Sequence, residues 1–267
     1  MIETLHLATG SDPAFLPRLD RKLARTILRS PATLRVKRTV VTFSFDDIPR
    51  QAATVGAEIL EDAGVRGTFF IAAGLLGKRF GPWQFAEMED IVSLHAAGHE
   101  IGSHTFSHPD CQRLSLIDLH KEIESNAAAL NAAMPDLELQ SFAYPYGSVG
   151  CLQKRALLHE FACSRGTHPD INAQNLDIGQ LNSFTLNDDK TPVARIKHLI
   201  DETTAANGWL MFHTHDVCDR PTSEDCSPSL LRAAVEIALS AGCTVLPIRD
   251  ALGFLESDRI HDSAKAA

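Results

Sequence analysis

The feature that most restricts this chain is an alternation. Short apolar runs rich in β-formers recur, separated by segments whose apolar residues fall at helical spacing. "TVVTFSF" (39–45) reads as a strand; Ala52, Val55, Ile59 and Ala63 then mark a helix that Gly64 ends. "GTFFIAA" (67–73) precedes a predicted helix over 85–98. "HEIGSH" (99–104) precedes one carried by Leu116, Leu119, Ile123, Ala127 and Leu130, with Ser115 as its N-cap. "QSFAY" (140–144), "FACS" (161–164), "QLNSFTL" (180–186), "WLMFHTH" (209–215) and "CTVLPI" (243–248) supply further strands, with helices over 193–203 and 231–238. Roughly seven β–α alternations imply parallel strands joined by crossover helices. A single barrel-like α/β domain over 39–255 follows more naturally than two domains. Residues 1–38 then form a basic helical extension and 256–267 a polar tail.

Composition narrows the function. With 44% apolar and 22% charged residues, the 267-residue chain is globular, and its net charge of -9 argues against a general nucleic-acid binder. No apolar run approaches the ~20 residues of a membrane span. The N-terminus lacks a basic start followed by an apolar stretch, so a cytoplasmic address is expected. The six cysteines contain no C-x-x-C and read as free thiols; Cys218 and Cys226 flank one loop and are the pair that oxidation would join. One region runs against the overall charge. Residues 18–38 carry eight Lys and Arg against Asp20, with Leu19, Leu23, Ile27 and Leu28 spaced for one helical face. Such a helix meets an anionic lipid or acidic substrate, or is a solvated helix packed by its leucines; the second is the simpler reading.

The unusual polar residues fall at strand ends. In a parallel α/β barrel that is where active sites are built. Asp46 and Asp47 end the first strand. His104 and His108 follow the third, in "GSHTFSHPD". The Tyr144-Pro145-Tyr146-Gly147 turn follows "QSFA", Arg165 follows "FACS", and His213, His215 and Asp216 end "WLMF". Two imidazoles and one carboxylate make a facial three-ligand set that suits Zn²⁺ and leaves room for water and substrate. The other aspartate of the pair stays free as a base. The spacing is not H-E-x-x-H, which argues against a helical metalloprotease site.

The ordered set "TFSFDD" (42–47), "HTFSH" (104–108), "FAYPYG" (142–147) and "FHTHD" (212–216) resembles the polysaccharide deacetylases, carbohydrate esterase family 4, over about residues 39–250. The resemblance implies a distorted (β/α) barrel, seven-stranded, that removes N-acetyl groups from amino sugars with a divalent metal, Zn²⁺ foremost and Co²⁺ or Mn²⁺ as alternatives. It implies Asp46 as general base; Asp47, His104 and His108 as metal ligands; Tyr146 as a backbone donor to the oxyanion; and His215 as general acid. Alternation along "WLMFHTH" places His213 on the same face as His215, so pattern alone does not choose between them; the family motif favours His215.

The chain also departs from the family. Ala143 stands where an arginine is common, and Arg165 is the expected replacement, holding Asp46 from another strand. Ile48 stands where glycine is usual. The aspartate-tryptophan motif is not recognisable, and Asp177 is the nearest substitute for orienting His215. Trp83 either lines a sugar cleft or packs at the barrel rim, and His95, His99 and His120 read as structural or surface residues. The expected substrate is an N-acylated amino sugar, on a nucleotide or lipid carrier or in a glycan under assembly. A deformylase or other small-amide hydrolase on the same barrel is the second reading. A non-catalytic carbohydrate-binding barrel is the third.

Overall fold

Side chains along the first barrel strand sort to two sides with a period of two. In β1 (Val40–Asp46), Val41, Phe43 and Phe45 join the apolar layer under the helices, whereas Val40 joins a second apolar cluster on the barrel's inner side. Asp46 shares the inner face with Val40. The computed structural model describes residues 15–36 and 38–256. Seven more parallel strands follow: β2 (Thr68–Ile71), β3 (Glu100–Ser103), β4 (Ser141–Ala143), β5 (Cys163–Arg165), β6 (Phe184–Thr185), β7 (Trp209–Thr214) and β8 (Thr244–Val245). The continuous path has seven strands in the order β6-β7-β1-β2-β3-β4-β5, and β8 pairs with the first residues of β1. Residues 178–181 run beside β5, with Leu181 N–H donating to Ser164 O and Gly166 N–H to Leu181 O, before β6 pairs with β7. That segment closes the distorted barrel between the two ends of the sheet.

Helices α1 (Phe15–Thr26), α2 (Ala57–Asp62), α3 (Met88–Ala96), α4 (Leu116–Ala133), α5 (Cys151–Glu160), α6 (Val193–Ala205) and α7 (Pro228–Ser240) surround the strands. Ser115 caps α4 by accepting the Asp118 N–H. α3 begins later than its apolar pattern suggests. Phe85 bridges to Pro49 and the Ala86 N–H bonds to Ile48 O, so both residues are committed to β-like pairing before the Glu87–Asp90 capping box opens the helix. No helix among the described residues is long and apolar enough to cross a membrane.

The basic segment differs from its expected form. Its helix stops at Thr26, and Pro31–Leu34 is a strand that pairs antiparallel with Asn175–Asp177 and Leu255–Glu256. Ala32, Leu34, Leu176 and Leu255 cluster with Val40 and Trp209, the first residues of β1 and β7, so this small sheet covers the barrel end opposite the site. The apolar face is only partly covered: Leu19 and Ile27 are exposed, Leu23 and Leu28 are half-buried, and Ala24 is fully buried. Polar bonds also fix the helix. Asp20 accepts the Cys151 N–H, and the fully buried Lys154 ammonium donates to Ala24 O at 2.7 Å and to Asp177 at 2.6 Å. Most of the expected polar tail lies outside the described residues.

Candidate active site

The C-terminal ends of β1, β3, β4, β5 and β7 meet at one mouth, around a cavity of about 600 Å³ that Asp46, Asp47, His104, His108, His213 and His215 help to line. Strained turns aim these side chains. Asp47, Ile48, Thr105, His108 and Tyr146 all adopt left-handed backbone with φ between 58° and 63°. Non-glycine residues enter that region at a cost, and they concentrate at functional sites. His104 and His108 therefore approach through a tight loop. The Thr105 hydroxyl accepts the His108 N–H, and Glu122 on α4 accepts the N–H groups of Phe106 and Ser107. Nothing in the helical pattern around Glu122 signals that second task.

Asp47, His104 and His108 converge. One ligand atom from each lies within 4.8 Å of the others. Asp47 Oδ1 is 3.1 Å from His108 Nε2 and 3.5 Å from His104 Nε2, yet it is buried without a hydrogen-bond partner. His104 Nδ1 lies 2.8 Å from Ala143 O. A carbonyl only accepts, so Nδ1 carries the proton and Nε2 presents its lone pair. Burial lowers both imidazoles to about pKa 4, which keeps them neutral at pH 7, and burial raises Asp47. Neutral imidazoles, an orphaned carboxylate oxygen and no cationic side chain between them fit a divalent cation.

Asp46 has the opposite environment. Burial opposes its charge, but the Arg165 guanidinium overrides that and holds the carboxyl well below the usual carboxylate range. Arg165 Nη2 donates to both Asp46 oxygens, at 2.5 and 2.6 Å. The guanidinium is itself fully buried over the Phe70 ring, and Gly102 makes room for that ring: a Cβ there would lie 2.5 Å from it. Ala143, in the place of the common arginine, stands beside Arg165 in register across β4 and β5. The two aspartates, adjacent in sequence, thus belong to two different assemblies.

The two histidines near the end of β7 also separate. His213 has both ring nitrogens engaged, Nδ1 with Ser183 at 2.8 Å and Nε2 with Thr185 at 3.2 Å, and burial lowers it to about 3. His215 lies past the strand end and is half-buried. Its Nδ1 bonds Glu224 O at 3.1 Å, and its ring stacks on Trp83 at 5.4 Å. The expected role of Asp177 is corrected: Asp177 is paired with Lys154 and takes no part in orienting His215. Trp83 and the Glu224 carbonyl do so instead, and the buried Asp225 carboxylate braces them by accepting from Trp83 Nε1 and the Asp216 N–H. Tyr146 lies at the mouth, 70% exposed, with its ring 4.6 Å from that of His108. His99 is structural, bonded to Glu61 and the Gly67 N–H, and His120 is a surface residue beside Glu124.

Fold and site define a class, and comparison with known proteins agrees: residues 34–158 match the polysaccharide deacetylase family model, which bears out the resemblance in the sequence motifs. The "FHTHD" motif lies beyond the matched segment. Among individual relatives, a chitooligosaccharide deacetylase of Bradyrhizobium sp. (strain ANU 289) is 30% identical over 108 residues, 40% of this chain and 46% of the relative. The chain spans about half the length of the curated relatives it matches. A chitin deacetylase from the fungal pathogen Colletotrichum lindemuthianum superposes with a TM-score of 0.60 at 20% identity, covering 83% of this chain and 90% of that one. A carbohydrate esterase family 4 pseudoenzyme from Bacillus anthracis reaches 0.56 at 16% identity, covering 81% and 66%. At these identities the likeness is one of fold, shared by catalytic and non-catalytic members.

Proposed function

We propose that this chain is a divalent-metal-dependent hydrolase that removes an N-acetyl, or related N-acyl, group from an amino sugar. The observation that carries the reading is the division of labour between Asp46 and Asp47. One carboxylate is held ionised by an arginine; its neighbour points, unpartnered, at two neutral imidazoles.

Asp47, His104 and His108 would hold the ion, with Zn²⁺ the first choice for this donor set and Co²⁺ or Mn²⁺ the alternatives. When bound, such an ion polarises an amide carbonyl and acidifies a coordinated water. The chain's own residues supply the rest. Asp46, turned and kept charged by Arg165, takes a proton as general base. His215 donates Nδ1–H to Glu224 O, which leaves Nε2 to carry the proton that the departing amine needs. The Tyr146 turn offers a backbone N–H toward the oxyanion. His213 has both nitrogens committed and serves to position Ser183 and Thr185. Six free cysteines are compatible with a reducing, cytoplasmic setting, where the substrate would be a sugar precursor in polysaccharide assembly.

The test is a hydrolysis screen of N-acetylated and N-formylated amino sugars with added Zn²⁺, Co²⁺ or Mn²⁺, reading free amine. Amine release from the acetylated set is the expected result. Release from the formylated set alone makes the chain a deformylase. Sugar binding with no release from either sinks the enzymatic reading.

A further inference from the structure

A second cavity adjoins the first. It measures about 400 Å³ and is lined by Arg18, Arg21, Lys22 and Arg25 of α1 together with His168. Gly147 and Thr167 line both cavities, so the two share a wall. At that wall Gly147 has φ +62°, and a Cβ there would lie against the Thr167 hydroxyl.

Among the described residues, no carboxylate lines the second cavity. The one acid of α1, Asp20, is turned away, accepting from the Cys151 N–H and from Gln112 Nε2. The bonds of Asp20 and of Lys154 fix the rotation of α1, and with it the direction of its basic face. Arg21 donates to the Gln112 Oε1 amide oxygen, and Arg25 bonds the His168 ring at Nδ1. Arg21, Lys22 and Arg25, within little more than one turn of helix, repel one another. The cluster runs against the chain's net charge of -9. A bound dianion would remove that repulsion, and guanidinium forks match phosphate geometry.

We infer that this cavity is a phosphate subsite, and that the amino-sugar substrate carries a phosphate or diphosphate that lodges there while its N-acyl group lies at the mouth of the barrel. The inference rests on the proposed hydrolase reading and narrows its substrate class to phosphorylated amino sugars. A nucleoside-diphosphate sugar and a polyprenyl-diphosphate sugar share this chemistry.

The experiment uses the metal-loaded full chain and compares three substrates: a neutral N-acetyl-oligosaccharide, a nucleoside-diphosphate N-acetyl sugar and a short-chain polyprenyl-diphosphate N-acetyl sugar. At least one diphosphate should be preferred, and which one identifies the carrier. The double variant Arg21→Glu/Lys22→Glu, at two exposed positions, should raise KM for that substrate by roughly ten- to a hundredfold, the scale of lost charge-assisted contacts. Its kcat, and both constants for the neutral sugar, should stay unchanged. Equal KM effects on neutral and charged substrates, or none on either, would overturn the subsite. Calorimetric titration with inorganic pyrophosphate reads the cavity without turnover. Binding to the parent protein that the double variant loses supports the subsite even if no substrate is hydrolysed, in which case it is the hydrolase reading that fails. Absence of pyrophosphate binding to the parent overturns the subsite.

Discussion

Asp46 and Asp47 are neighbours with opposite electrostatics, and the difference comes from one residue. Arg165 reaches both Asp46 oxygens through Nη2 while Nη1 donates to Gly166 O, a planar spread of donors that lysine lacks. Arg165→Lys should therefore keep metal stoichiometry while lowering turnover by roughly ten- to a hundredfold through a misplaced base. Unchanged turnover would remove Arg165 from the site's function. The two imidazoles of the proposed metal site make a separate prediction. Both have their pKa lowered from 6.5 to about 4. Protons compete for a ligand only below its own pKa, so metal affinity should stay nearly flat from pH 7 to 6 and fall as pH approaches 4. An unperturbed histidine pair would lose roughly tenfold over the first step. Titration of the chelated protein with Zn²⁺ at pH 7, 6 and 5 separates the two. At this scale the sequence was informative because each of these side chains sits at or just past a strand end. The structural task of Asp177 is not legible in the sequence, because its partner, Lys154, is buried by tertiary packing that no local pattern records.

The turns after the strands carry the strain. Ile48 is the sharpest case, a fully buried β-branched residue at φ 60° where glycine would be at ease. Two effects compete on substitution. Ile48→Gly would relieve about 1–3 kcal/mol of backbone strain, but would forfeit about 2–5 kcal/mol of buried packing, plus the entropy of an added glycine. Packing wins, so the variant should be less stable by about 2 kcal/mol in urea unfolding. Equal or greater stability would mean that strain dominates the turn. The main elements were legible because apolar periodicity reflects burial on one face. The three strands of the small antiparallel sheet were not legible. Each is four residues or fewer and they lie far apart in sequence, so only their pairing makes them strands. The late start of α3 has the same origin, since Phe85 and Ala86 pair with Pro49 and Ile48.

Across the whole molecule, a parallel barrel opens toward the candidate site and is covered at the other end by a sheet that joins Pro31–Leu34, Asn175–Asp177 and Leu255–Glu256. That arrangement makes the basic helix part of the body. Asp20, Ala24 and Lys154 hold it beside the site rather than leaving it as an appendage. The central claim is that Asp47 helps to hold an ion while Asp46 works as a base beside it. The most direct measurement determines metal content and acetate release together for the parent chain, Asp46→Asn and Asp47→Asn, on one N-acetylated amino-sugar substrate. The account predicts one ion per parent chain and metal-dependent acetate release. It predicts full metal content with turnover lower by roughly two to four decades in Asp46→Asn, and loss of the ion in Asp47→Asn. Metal lost from Asp46→Asn and kept by Asp47→Asn, or acetate release that persists after the parent is stripped of metal, would contradict it.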